Sequence, residues 1–319
     1  MSTIADAAAN ASAAAADAGA KAAAGAADTG ANAAANATDA GANAADAASP
    51  STDSDTDTDT KTTTDAKPVA IAVTDDNPVL GRTFTKAASK FKRKSPGKTA
   101  LVLGGTGQVG REVVKHLMAS DAFDKVAVFA RRPIEYTGAN AEKLVQNPID
   151  FEDSEKLKSD FSGFTHAFSC LGTTRSKSGS DGFYKVDHDY ALNAARACKE
   201  AGVEHYSICS SAGADKSSRM LYMRTKGEVE SEVVGMGFPR ASVFRPAMLE
   251  CRREESRPVE KLASLILPVV KLIMPNSAAI PTSTVAWAMV SNAFAPVEAP
   301  ATESFSNADM LDKFKKAKK

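Results

Sequence analysis

At 319 residues the chain could hold two average domains, but its large apolar side chains are concentrated after about residue 99, so one folded domain behind a long tail is expected. Lys plus Arg total 39 and Asp plus Glu total 39, a balance that excludes the general electrostatic attraction on which a nucleic-acid binder relies. Four cysteines, Cys170, Cys198, Cys209 and Cys251, show neither metal-ligand spacing nor a secreted disulfide framework; they are read as reduced thiols, with no metal site.

Asp6, Asp17, Asp28 and Asp39 recur every eleven residues, each followed four positions on by Asn10, Lys21, Asn32 or Asn43. Eleven residues make three helical turns, so a helix here would carry its polar residues as one stripe on an alanine cylinder. Gly19, Gly30 and Gly41 each oppose that helix by about 1 kcal/mol, and there is no large side chain whose burial would offset them. Residues 1–66 are therefore expected to be a disordered Ala/Asp/Thr-rich tail, its Ser/Thr/Asp run at 51–65 a solvated linker. A mitochondrial matrix presequence is Arg-rich, whereas the first arginine is Arg82, and no opening apolar run resembles a signal peptide. Matrix and secreted locations are excluded on those grounds.

Residues 67–98 read as a basic linker. Val69, Ile71 and Val73 suit either a short strand or a linear binding element. Lys86, Lys90, Lys92, Arg93 and Lys94, interleaved with Phe84 and Phe91, suit a basic amphipathic turn against a membrane or an acidic partner; a solubilising lead into the domain is the favoured reading.

The domain itself is expected over 99–319. Its first strand, Thr99–Leu103, is a short apolar run of the kind a doubly covered parallel strand shows. Gly104, Thr106, Gly107, Gln108, Val109 and Gly110 follow it directly, and helical spacing takes over at 111–118. Glycines three apart between a strand and a helix permit a tight turn, a close approach of a pyrophosphate to the backbone and close helix packing. The phosphates would rest on the helix N-terminus. The second strand, 126–130, ends in Arg131 and Arg132, where an NAD site usually presents a carboxylate to the ribose; guanidinium groups there suit the extra phosphate of NADP(H). Asp150, ending a third strand, is placed for the adenine edge. Further strand runs at 165–170, 205–209 and 241–244 alternate with helical stretches at 187–201 and 221–234, which predicts an α/β, Rossmann-like, doubly wound parallel sheet with helices on both faces. Leu171 and Gly172, just past the fourth strand, would line the cofactor trough. The longest apolar stretch, 262–274, is too short to span a bilayer and carries Lys271, so it reads as a helix over the sheet or the substrate mouth.

Tyr222 and Lys226 stand four residues apart on one face of the 221–234 helix. A nearby ammonium favours the phenolate form of a tyrosine, which lets the pair exchange a proton with a carbonyl or alcohol. Ser210 and Ser211, at the end of the preceding strand, can hydrogen-bond the substrate oxygen.

These motifs, with CLGTTR at 170–175, KVDHDY at 185–190, SSAGADK at 210–216 and FRP at 244–246, resemble the atypical short-chain dehydrogenases, and within them the Tat-interactive oxidoreductase family with its fungal relatives at the mitochondrial outer membrane. The likeness covers about 99–292 and none of the tail. It implies NADPH contacts at Thr106, Gly107, Gln108, Val109, Arg131, Arg132, Leu171, Gly172, Tyr222, Lys226, Leu249 and Arg257. It also implies either a carbonyl reductase of unknown substrate, or a nucleotide-sensing regulator that binds protein partners in nuclear import or transcription. A cytoplasmic location, peripheral on the mitochondrial outer membrane, fits both. One position departs from the wider pattern: Asp187 stands where many short-chain dehydrogenases carry asparagine, which removes an amide donor from the usual proton relay. His188, beside it, is expected at the surface.

Overall fold

Along Thr99–Leu103, Ala100 and Val102 alternate with Leu101 and Leu103, and all four are fully buried, so this strand needs a hydrophobic layer on each side. The computed structural model describes residues 68–72, 81–173, 175–250 and 279–318, and supplies both layers. Arg257, Cys251, the 262–274 stretch and the eleven-residue repeats lie outside the described residues.

In chain order the elements are β1 (Val69–Ala72), α1 (Arg82–Lys94), β2 (Thr99–Leu103), α2 (Gln108–Ser120), β3 (Lys125–Phe129), β4 (Ile134–Thr137), β5 (Leu144–Asn147), α3 (Ser154–Phe161) and β6 (His166–Ser169). They continue with α4 (Arg175–Tyr184), a π-helical turn (Lys185–Asp189), α5 (Tyr190–Glu200), β7 (His205–Cys209), α6 (Leu221–Gly235), β8 (Arg240–Arg245), β9 (Met248–Glu250), β10 (Ala279–Pro281), α7 (Thr282–Ala293), β11 (Ala301–Ser306) and α8 (Asn307–Lys318). Seven strands form one parallel sheet in the order β11-β8-β7-β6-β2-β3-β5. The order reverses between β2 and β6, the switch point outside which doubly wound folds bind nucleotides.

One hydrophobic core lies under α1, α2, α7 and α8 and takes Ala100, Val102, Val126, Val128 and Phe168 from the sheet. The other lies under α3, α5 and α6 and takes Leu101, Leu103, Ala127, Phe129 and Tyr206. The stretch 67–98 is not a linker throughout. Val69–Ala72 pairs in parallel with β4, and α1 buries Phe84 and Ala88 while Phe91 packs against Phe123 and Phe294. The phenylalanines of the basic cluster are thus spent on the domain's core, and its lysines form the solvated face of an ordinary amphipathic helix. Among the described residues no helix is long and apolar enough to cross a membrane.

Candidate functional site

The glycine run leaves β2 as a turn that only glycine permits. Gly104 has φ 73°, and a Cβ there would stand 2.5 Å from the Cys170 carbonyl oxygen; one on Gly110 would stand 2.1 Å from the Gly104 carbonyl oxygen. Two backbones and a helix therefore meet without side chains between them. Gly107 caps α2 and offers no side-chain acceptor, and the amides of that first turn, on Gln108, Val109 and Gly110, have no helical acceptor. Arg111 donates to the Thr106 carbonyl at 3.0 Å, which holds the loop over the helix. The arrangement fits a pyrophosphate, whose oxygens would take those amides.

Most other residues singled out in the sequence lie beyond the C-terminal ends of the sheet strands, and Leu249 lies on the separate β9–β10 pair. Arg131 and Arg132 are exposed just beyond β3, and neither forms an ion pair with a described residue. Asp150 is exposed beyond β5 and accepts from the Glu152 amide at 2.9 Å, a local turn. Half-buried Leu171 and exposed Gly172 follow β6, and Leu249 lies on β9 with 36% exposure. Beyond β7, the Ser210 hydroxyl is buried without a hydrogen-bond partner among the described residues, whereas Ser211 turns its hydroxyl to the Ala212 carbonyl at 3.3 Å.

Tyr222 and Lys226 lie one helical turn apart on α6. The phenol ring is half-buried, 5.8 Å from the buried ring of Phe183. Lys226 is 8% exposed, and its Nζ lies 2.7 Å from Asp187 Oδ1 and 3.6 Å from where a Cβ on Gly172 would be. Burial works against the ammonium, but Asp187 and Tyr222 outweigh it and hold the Lys226 pKa above its ordinary value. Cys170 and Cys209 flank this lysine from the ends of β6 and β7. Burial pushes the Cys170 thiol well up and that of Cys209 up to about 11, so both are inert walls.

Asp187 does more than replace an amide. It is 1% exposed, and its second oxygen accepts from the Thr173 amide at 2.6 Å. The π-helical turn Lys185–Asp189 carries it inward, while His188 turns to the other side, stacks on Tyr184 at 4.4 Å and bonds Asp189 at 2.9 Å. The sequence does hold a sign of this. Asp187 shares a helical stripe with Ala191, Ala194, Ala195 and Cys198, all buried, and a carboxylate on an apolar stripe needs a buried partner. Also unforeseen is Gly227, where a Cβ would stand 2.2 Å from the Lys216 amide nitrogen, so the 215–216 backbone rests directly on α6 beside the tyrosine.

A family model described as NAD(P)H-binding matches residues 104–235. The protein HTATIP2 of Rattus norvegicus is 39% identical over 214 residues, 67% of this chain and 88% of the relative. The Aspergillus niger protein named fmp52, mitochondrial, is 39% identical over 165 residues, 50% of this chain and 70% of the relative. Of solved structures, MoeE5 in complex with UDP-glucose and NAD has a TM-score of 0.50 at 17% identity, covering 65% of this chain and 75% of that one, a likeness of fold.

Proposed function

The chain belongs to the HTATIP2-like family of atypical short-chain dehydrogenases/reductases, NAD(P)H-binding proteins, and on that premise we propose that it is an NADP(H)-dependent oxidoreductase acting on a carbonyl or alcohol. The observation that carries the reading is a buried, charged lysine one turn from a half-buried tyrosine, beside Gly172 in the loop after β6. When bound, the reduced nicotinamide supplies a hydride to the substrate carbonyl carbon. The phenol of Tyr222 delivers the proton to the carbonyl oxygen, and Ser210 donates its free hydroxyl to the same oxygen. Lys226 keeps its charge beside the phenol and holds ribose hydroxyls. Gly104, Gly107 and Gly110 let the backbone approach the pyrophosphate, with Leu171 and Gly172 forming the opposite wall. Arg131 and Arg132, exposed and free of ion pairs among the described residues, supply paired donors for a ribose phosphate, which supports NADP(H) over NAD(H).

Fluorescence titration of the full chain with NADPH and NADH tests this. NADPH should bind at least about tenfold tighter, and Arg131→Ala with Arg132→Ala should erase the difference, since a charge-assisted phosphate contact is worth about 1.5–3 kcal/mol. Tyr222→Phe should bind NADPH as before and lose turnover on a carbonyl panel. Equal affinity for the two nucleotides would refute the arginine assignment, and tight binding without wild-type turnover would favour the nucleotide-sensing regulator. The mitochondrial name of the fungal relative supports a mitochondrial association; our reading is a peripheral position on the outer membrane, which protease protection of isolated organelles would test.

A further inference from the structure

Lys226 faces four titratable groups: the Asp187 carboxylate from the π-helical turn, the Tyr222 phenol on its own helix, and the Cys170 and Cys209 thiols from β6 and β7. Of these only Asp187 is a carboxylate, and among the described residues it is the only ion-pair partner of Lys226. Asp187 Oδ1 lies 2.7 Å from the ammonium. Its Oδ2 holds the Thr173 amide at 2.6 Å, and a Cβ on Gly172 would stand 3.3 Å from Oδ1. One side chain thus ties together three parts of the site: the π-helical turn, the loop after β6, and the lysine of α6.

We propose that Asp187 is the positioning residue of the cofactor site: one carboxylate oxygen holds the Lys226 ammonium and the other the Thr173 amide, which fixes lysine and trough loop against each other and sets a fixed negative charge opposite the ammonium. This rests on the cofactor reading above. Here the aim of the lysine depends on one buried carboxylate. Buried ion pairs contribute less to net stability than to arrangement, and removing one partner strands the other.

The sign of the effect on pH follows from the two opposing influences on Lys226. Burial lowers its pKa, and the carboxylate, helped by Tyr222, raises it further than burial lowers it. Without the carboxylate's charge burial prevails, so the ammonium should discharge at a lower pH and cofactor binding should weaken there. Both thiols stay neutral across that range because burial raises them. The remaining group, Tyr222, is removed by working in a Tyr222→Phe background.

The experiment is NADPH affinity of the full chain by fluorescence titration from about pH 7 to about pH 10, for Tyr222→Phe alone and with Asp187→Asn, Asp189→Asn or Lys226→Met added, each checked for fold by circular dichroism. The parent and Asp189→Asn, an exposed neighbour, should follow one curve. Asp187→Asn should stay within about threefold of the parent near neutrality and fall about tenfold behind it at the alkaline end, as expected when a charge-assisted contact becomes a neutral one. Lys226→Met should be weak at every pH. An Asp187→Asn curve parallel to the parent, whether superposed or uniformly weaker, overturns the proposal, since a structural role alone has no alkaline limb. A parent that binds no NADPH instead refutes the cofactor reading, and the proposal with it.

Discussion

Gly110 and Gly235 are both helical glycines, and their surroundings set opposite expectations. A methyl group on Gly110 meets the Gly104 carbonyl oxygen at 2.1 Å and the Gly105 Cα at 2.9 Å, backbone atoms that cannot turn aside; nothing lies within 4 Å of the same group on Gly235. Gly110→Ala should therefore lose about 1–3 kcal/mol through overpacking and weaken nucleotide binding with it. Gly235→Ala should be neutral or gain up to about 1 kcal/mol from helix propensity. Thermal unfolding with and without NADPH separates the two outcomes. At this scale the sequence was most legible where chemistry forces a residue type, as with the glycines of the turn and the Tyr222–Lys226 spacing. It was least legible at Asp187, because a carboxylate reads as a lost donor until the buried lysine opposite it is known, and that pairing joins residues 39 positions apart.

Among elements, α1 shows how composition can mislead. Its sequence, dense in lysine and poor in acid, suggests a surface lead, yet Phe84 is 2% exposed and sits 5.3 Å from Phe294, 6.0 Å from His116 and 6.4 Å from Trp287. Phe84→Ala should cost about 3–5 kcal/mol, the usual loss for a buried aromatic, read as a lower urea midpoint of the full chain. Shortening the protein to begin after α1 would remove the same contacts, so binding studies belong on the whole chain. The strands read from the sequence as Thr99–Leu103, 126–130, 165–170, 205–209 and 241–244 correspond to β2, β3, β6, β7 and β8, and the run read as ending at Asp150 is β5, which stops at Asn147. The seventh, Ala301–Ser306, escaped because it is an edge strand that buries only Phe305 and otherwise alternates Thr, Glu and Ser. Its place in the sheet comes from pairing with β8 and from α8 behind it, which short-range patterning does not register.

For the molecule as a whole, three of its four histidines are built in without charge. Burial lowers the pKa of His116, lowers that of His166 to about 3 with help from Lys98 and Arg240, and lowers that of His205 well below the ordinary value with help from His166 and Arg240. An unfolded histidine binds its proton near pH 6.5, so below that pH the unfolded chain gains protons that the native one refuses. Stability should thus be full above about pH 7 and decline as the pH falls below 6.5, by on the order of 1 kcal/mol per pH unit from His166 alone, whose native pKa is about 3. Urea unfolding at successively lower pH should show midpoints declining through that window; constant midpoints would mean the imidazoles are charged in the native state.

The meeting of α1 and α8 has a consequence for how the chain could be rewired. A Cβ on Gly81, the residue that caps α1, would stand 3.7 Å from the Ala317 carbonyl oxygen near the end of α8. The helices that open and close the main fold are neighbours, and between them the backbone makes almost a closed ring; among the described elements only β1 lies outside it. A linker of a few residues would complete that ring, and the chain could then be opened afresh at an exposed turn such as the one at Gly138, giving a circular permutant that keeps both cores but for Ile71 of β1.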